Sequence, residues 1–367
     1  MTKTKMDHEK QGRVHPRVAD LKNKFLKGEV DRREFLRTTT LLGLSAAAAY
    51  SFTDTFSNEL PSLISSAEAA TPKKGGTIRC AMQVQDMSDP AVYDWVEKSN
   101  VTRQMAEYLT ITGSDNVTRP YLAEKWVPSD DLKTWTFHIR KGVKFGNGDE
   151  LTADDVIVNI KRWLDPNVGS SMVGMLNTML KEEDGKDKDG KAIKVKRMIE
   201  GSVEKVDTYT VRIHLNSPDL SIPEKMYHYP AVIMHRSFAE KGANITKTPD
   251  LGTGPYTLAE FRVGEIAILK RRGGGFKYWG EDPLLDEIHY IDTGQDSAAS
   301  LAALASGQVD TMYVLDLTLL GAAETMPGVK VHEVTTAQTG CMRIQAERAP
   351  YKDIRVRQAM QLAADNE

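Results

Sequence analysis

Leu251-Gly252-Thr253-Gly254-Pro255-Tyr256 is the stretch from which the organisation of this chain can be worked out. Its glycines tolerate positive φ and its proline fixes φ near about −65°, so the backbone must turn sharply here. An extended run begins at Tyr256, and a second run, over 265–270, follows Gly264. The pattern predicts a turn that leads into a β-hairpin closed at Gly264.

Strand and helix patterns alternate along the rest of the chain, as in an α/β protein. Residues 74–82 predict a first strand after a Gly-Gly turn, and residues 134–139 alternate as a half-buried strand. Thr152 followed by Asp155 predicts a capped helix that ends at Pro166. The remaining predicted elements are helices over 220–229, 297–306 and 353–367, and strands over 209–215, 231–234, 329–334 and 339–345.

Several motifs occur in an order that is typical of one protein family. They are GGTIRCA (75–81), RPYLAEKW (119–126), the run from Trp135 to Pro166, GTGPY (252–256), YWG (278–280) and PYKDIRVRQA (350–359). The run WTFHIRKGVKFGNGDELTADDV with LDP after it, over 135–166, is the most specific of them. On these motifs the chain resembles the extracytoplasmic solute-binding proteins of family 5, the peptide, dipeptide and nickel receptors of ABC importers.

The resemblance implies an α/β fold of the periplasmic-binding-protein type (type II), with two lobes and an inserted subdomain in the first. We expect lobe one over 70–337, with the insertion at about 115–200, and the start of lobe two over 338–367. The last predicted helix has no stop signal, so lobe two is expected to be truncated.

The first 69 residues have the pattern of a twin-arginine export signal. Its motif is formed by Arg32, Arg33, Phe35 and Leu36. A weakly apolar run over 41–50 follows, and Ala67 and Ala69 place small residues where a signal peptidase reads them, which predicts cleavage after Ala69. We expect this segment to lie outside the fold. An ordinary amphipathic helix that contains two arginines is the alternative.

Composition narrows the class of protein. A net charge of −3 argues against a nucleic-acid binder, and the 40% hydrophobic and 27% charged residues are typical of a globular chain. Cys80 and Cys341 are the only cysteines, and either a disulfide or two buried thiols is compatible with export. Since neither is near the cleavage site, we expect a free periplasmic protein without a lipid anchor.

No motif predicts catalysis, a cofactor or a metal. Gly273-Gly274-Gly275 is followed by aromatic residues, not by a helix, so it predicts a loop and not a phosphate cradle. Residues 181–196 resemble a calcium loop, but Gly185 and Lys196 occupy ligand positions, which favours a solvated hairpin. His228 and His235 flank an apolar run and are not predicted to bind metal.

Candidate cleft residues follow from loop placement. One group comes after the first strand, one after the capped helix and one at the lobe crossing: Gln85, Asp86 and Met87; Ser170, Ser171 and Met172; Thr339, Gly340, Cys341 and Met342. An ordinary exposed loop is the alternative for each. Tyr256 and Trp279 are predicted to be core aromatics.

The resemblance predicts a monomeric periplasmic receptor that captures di- or oligopeptides and delivers them to ABC permease subunits after export by the Tat translocase. A receptor for a nickel chelate, an opine or a sugar derivative is the alternative within this class. A Tat-exported enzyme or a periplasmic chaperone is the alternative from another class.

Overall fold

The computed structural model describes residues 14–56, 73–186, 190, 192–334 and 343–364. Two compact units are present, residues 1–332 and 333–367. The first unit contains a five-stranded sheet in the order β10-β11-β12-β1-β13. Its strands are β1 (Thr77–Ala81), β10 (Tyr256–Arg262), β11 (Ile266–Arg271), β12 (Glu287–Ile291) and β13 (Thr311–Met312). β1 pairs in parallel with β12 and β13, whereas the other pairs are antiparallel.

The predicted hairpin is confirmed. Strands β10 and β11 pair antiparallel, and Gly264 has φ of 73° at the turn between them. Gly252 and Gly254 pack directly on backbone, since a Cβ at Gly254 would lie 2.5 Å from the Gln104 carbonyl oxygen. These glycines are therefore required by close approach of the backbone as well as by the turn.

A second, antiparallel sheet carries much of the core. Its order is β4-β5-β9-β8, formed by β4 (Ala123–Pro128), β5 (Thr134–Ile139), β8 (Val203–Asp207) and β9 (Thr210–His214). As predicted, Trp135, Phe137 and Ile139 are buried. β2 (Thr110–Thr112) pairs with β3 (Thr118–Pro120). β6 (Leu180–Lys186) pairs with β7 (Ala192–Met198), which confirms a hairpin over the charged stretch; residues 187–189 and 191 lie outside the described residues.

Helix α5 (Ala153–Trp163) begins where the sequence predicts, with α4 (Val96–Thr102) before it. Thr152 and Asp155 form the reciprocal capping box, which satisfies backbone donors at the helix start. The Asp155 carboxylate also accepts the Arg236 backbone N–H at 2.9 Å and pairs with its guanidinium. The other short helices of this unit are α6 (Met172–Met175), α7 (Ile222–Lys225), α8 (Ser297–Ala305) and α9 (Leu320–Thr325).

The segment predicted as an export signal does not stay outside the fold. It forms α1 (Arg17–Leu26), α2 (Arg32–Leu41) and α3 (Ala46–Phe56), and Val18 and Leu42 belong to the main hydrophobic core. Phe35 is fully buried against Phe25, with ring centroids 4.9 Å apart. The expectation was wrong because the apolar face of these helices finds a matching surface on the first unit.

Two predicted strands are absent from the described residues. Residues 231–234 are buried, but their backbone bonds to loops and side chains: Ile233 N–H donates to the Glu107 carbonyl, and the Asn159 side chain bonds both backbone groups of Met234. Residues 329–334 are irregular, since no neighbouring strand pairs with them in the described chain. The predicted strand 339–345 falls partly outside the described residues, and 343–345 are irregular.

The second unit contains α10 (Ile354–Ala363), capped by the Asp353 carboxylate, which accepts the Arg355 N–H at 2.9 Å. The predicted start of this helix, at residue 353, is confirmed. The helix was predicted to reach Glu367, but Ala364 already has an extended conformation. Residues 365–367 lie outside the described residues.

Candidate functional site

The carboxyl ends of the parallel strands β1, β12 and β13 form the edge of the sheet at which open α/β folds place ligands. Tyr313 follows β13 and donates its backbone N–H to the Ala81 carbonyl at 3.1 Å. Asp292 follows β12 and accepts the Val84 N–H at 2.8 Å. Backbone and carboxylate contacts thus tie together the three segments that leave this edge.

The segment after β1 has free backbone donors. Gln83 and Gln85 are half-buried, and their side-chain amides bond to each other at 3.2 Å. Within the described residues, neither backbone N–H has an acceptor. Such donors can pair with the carbonyl groups of an extended ligand.

The same loop is fixed at its far end. The side chain of Met87 is buried, and its carbonyl accepts the Tyr93 hydroxyl at 3.1 Å. The backbone carbonyl of Ser88 accepts the Ile245 N–H at 2.7 Å, and the Asp89 carboxylate pairs with both terminal nitrogens of Arg162. The side chain of Met87 is therefore a packing group in this structure.

The second predicted group, Ser170, Ser171 and Met172, contains both buried and exposed residues. Met172 is fully buried in the core, Ser170 is 5% exposed, and only Ser171 is exposed. The Ser170 hydroxyl accepts the Met172 N–H at 3.2 Å, so it serves the start of α6. In the described chain, no hydrogen bond joins this group to Gln85 or Asp86.

Other predicted positions cannot be compared with the structure. Thr339, Gly340, Cys341, Met342, Ala67 and Ala69 lie outside the described residues. Cys80 is half-buried, and desolvation raises the pKa of its thiol to about 11. The prediction for Tyr256 and Trp279 is confirmed: Tyr256 is buried, and Trp279 packs against the main core.

Arg103 is a candidate that loop placement missed. Its guanidinium donates to the Ser99 hydroxyl at 3.0 Å and the Tyr227 hydroxyl at 3.4 Å, and its Nε is buried without a partner. No carboxylate within the described chain forms an ion pair with it. Burial raises the pKa of the adjacent Tyr108 to about 12, so this phenol is neutral at pH 7 and supplies no counter-charge.

Glu107 shows the opposite arrangement. Its fully buried carboxylate accepts four hydrogen bonds: from the Tyr121 hydroxyl at 2.6 Å, the Tyr278 hydroxyl at 2.5 Å, the Trp279 indole at 2.7 Å and the Thr253 hydroxyl at 2.8 Å. Burial, and then the Glu107 charge, raise the pKa of Tyr121 and Tyr278. The residues of the GTGPY and YWG motifs thus meet on one carboxylate, which has a structural role.

Two surface cavities lie beside loop 273–278, with volumes of about 590 and 620 Å³. They share Gly273, Phe276 and Tyr278 and include no residue of the loop after β1. Among the described residues, no group of three or more His, Cys, Asp or Glu could hold a metal ion. In the same residues, no helix is long and apolar enough to cross a membrane.

Comparison with known proteins matches residues 118–367 to the model of the bacterial extracellular solute-binding proteins, family 5 (middle region). The chain belongs to family 5. Its mixed α/β fold is that of the two-lobe periplasmic binding proteins of this family. Membership explains why the motifs of residues 119–166 and 350–359 occur in one chain.

Relatives within family 5 have different ligands in their names. The periplasmic oligopeptide-binding protein OppA of Haemophilus influenzae is 28% identical over 76% of this chain and 50% of its own length. Heme-binding protein A of the same organism is 30% identical over 69% of this chain and 46% of its own length. The structure of MoaA from A. tumefaciens R10 with mannopinic acid is 24% identical, with a TM-score of 0.63 over 80% of this chain and 56% of that chain. The chain thus spans about half the length of the curated relatives it matches.

Proposed function

We propose that this chain is part of a periplasmic receptor of an ABC importer that captures di- or oligopeptides between two lobes and delivers them to the membrane permease. The observation that carries the proposal is the segment after β1, where the N–H groups of Gln83 and Gln85 have no acceptor within the described residues and can pair with a peptide backbone. The oligopeptide-binding relative and family 5 membership support the same class of ligand.

Arg103 supplies a cation at the end of α4. Its helix is tied to the sheet edge, because the Asn100 side chain contacts the Met82 sulfur at 3.5 Å and the Asn100 carbonyl accepts the Tyr290 hydroxyl. A half-buried guanidinium whose Nε has no partner is costly without an anion, and a ligand carboxylate would compensate it. Peptides carry such a carboxylate at their C-terminus. In this proposal Gln83 and Gln85 bind the ligand backbone and Arg103 binds its terminal charge.

Export by the Tat translocase, processing after Ala69 and a monomeric, unanchored state complete the proposal. The paired arginines of residues 32–33 support the route. Neither catalysis nor a cofactor is part of the proposed role. In it, the ligand stabilises a closed state that the permease recognises, because only that state contacts the ligand from both lobes.

The test is native mass spectrometry of the complete natural protein, followed by calorimetric titration with tetra-alanine, nickel chelate, haem and mannopinic acid. Co-purified peptides and saturable binding of tetra-alanine are expected. Binding of one of the other three alone would move the protein to another ligand class, and turnover of a bound solute would remove it from the receptors.

A further inference from the structure

We propose that the folded first unit carries a docking face for its own export segment, and that docking withholds the paired-arginine motif from the export machinery. The docking face is formed by Asp115, Val117, Trp126 and Glu224. Its occupant is the segment 14–56. The masking, but not the docking, rests on the proposed export route.

The contacts that hold the segment are specific and involve α2 and α3. Trp126 donates its indole N–H to the Leu41 carbonyl at 3.0 Å, at the end of α2. Arg37 donates two hydrogen bonds to the Glu224 carboxylate, at 2.6 and 2.8 Å. A bidentate arginine–carboxylate pair fixes orientation as well as distance.

Shape is matched as well as polarity. Val117 is fully buried in a small apolar cluster with Leu36 and Ala49. Gly43, with φ of 88°, brings the chain so close to the body that a Cβ there would lie 3.2 Å from the Trp126 carbonyl oxygen. Close backbone approach and buried apolar contacts on both sides are typical of an evolved interface and not of a chance contact.

A third polar contact fixes α3. The Tyr50 hydroxyl donates to the Asp115 carboxylate, which also pairs with Arg119. Arg119, and to a smaller extent Tyr50, lower the pKa of Asp115. This carboxylate therefore stays charged, and the contact persists across the physiological pH range.

The apolar half of the motif is removed from solvent: Leu36 packs against Val117 of the docking face, and Phe35 packs against Phe25 and Phe52 within the docked segment. Phe35 is 0% exposed and Leu36 4%, while Arg32 is half-buried over the Tyr50 ring, with its centroid 5.5 Å away. Side chains that form a core cannot at the same time contact a receptor. The apparent affinity of the export machinery for the precursor is then reduced by the fraction of molecules in which the segment is undocked.

The docking is tested by hydrogen–deuterium exchange of the purified full chain. An isolated helix as short as α2 is unstable in water, so slow exchange over 32–41 reports docking. We expect Glu224→Gln and Trp126→Phe to increase exchange over 32–41, and the control Glu281→Gln, at an exposed position away from the segment, to leave it unchanged. Exchange over 32–41 as fast as in a synthetic 14–56 peptide would overturn the docking.

Masking is tested separately in cells by the rate at which precursor is exported. We expect Glu224→Gln and Trp126→Phe to raise the initial export rate severalfold, and Arg32→Lys with Arg33→Lys to block export. Unchanged export in the first two variants, with increased exchange over 32–41, would overturn masking. If export were unaffected by Arg32→Lys with Arg33→Lys, the proposed export route would be overturned, and masking with it. Slow exchange over 32–41 would still support docking.

Discussion

Glu107 and Arg103 lie four residues apart, and the protein surrounds these two charged side chains in opposite ways. The Glu107 carboxylate accepts four hydrogen bonds from three segments, whereas the Arg103 guanidinium has a buried Nε with no partner. A fully satisfied buried charge stabilises the fold that surrounds it, while an unsatisfied one is a cost unless a ligand compensates it. The first therefore identifies a structural centre, and the second is the position that we propose for a ligand carboxylate.

The largest effect on stability is expected for Glu107→Gln. The amide nitrogen of glutamine would face hydroxyl or indole donors, so at least one charge-assisted hydrogen bond is lost and one donor pair clashes. We expect the free energy of unfolding to fall by about 3 kcal/mol. Urea denaturation measures it, with the exposed Glu281→Gln as control. A loss as small as in the control would show that the carboxylate is not the structural centre.

Gly254→Ala examines the same centre through the backbone. The new Cβ would meet the Gln104 carbonyl oxygen at 2.5 Å and the Met105 carbonyl carbon at 2.7 Å, both of them backbone atoms. Overpacking of this kind costs about 1–3 kcal/mol. Gly273→Ala is the matched control, because its Cβ would have nothing within 4 Å. Equal denaturation midpoints for the two variants would contradict the close packing of the turn.

Arg103→Gln is expected to weaken ligand binding and to change stability little, which is the reverse of the two variants above. Loss of a charged hydrogen bond to a ligand carboxylate is worth about 1.5–3 kcal/mol, which corresponds to a tenfold or greater loss of affinity. Stability should change little, since the guanidinium is not ion-paired in the described chain. Titration with tetra-alanine and with its C-terminal amide measures the effect. We expect the natural protein to bind the amide more weakly than the free acid, and the variant to bind the two peptides about equally. A variant that still prefers the free acid would exclude this role for Arg103.

The smallest effect is expected for His228, whose neutral form is favoured in the folded protein. Burial lowers its pKa, and its Nδ1 has no hydrogen-bond partner. Because the folded pKa lies below the unfolded value of about 6.5, the contribution of neutral His228 is complete above that pH and is lost as pH falls. His228→Asn should therefore lose less stability between about pH 7.5 and 5.5 than the natural protein. If His228→Asn lost as much stability over this pH range as the natural protein and the exposed control His332→Asn, the prediction would be contradicted.

The elements that were predicted correctly have local causes. The hairpin at Gly264 and the capping box of Thr152 and Asp155 are each determined by residues within a few positions. The buried stretch 231–234 was predicted as a strand because its apolar run carries no information about its hydrogen-bond partners. Those partners, Glu107 and Asn159, come from distant segments.

The candidate site shows the same limit. Loop placement identified Gln85 and Asp86 as accessible, but it could not show that Met87 and Met172 turn into the core. Nor could it identify Arg103, because an arginine without an acid is recognised only when its neighbours are known. The one available signal was an arginine at the end of a helix whose buried positions, Ser99, Val101 and Thr102, carry no charge.

The ion pair between Asp89 and Arg162 has a consequence for binding entropy. Together with the buried side chain of Met87 and the bond from Ile245 to Ser88, it fixes the loop after β1 before any solute arrives. Ordering a mobile loop would subtract from the free energy of association. Here the loop is already ordered when the protein folds. The contacts that we propose at Gln83 and Gln85 are therefore in place before a solute binds.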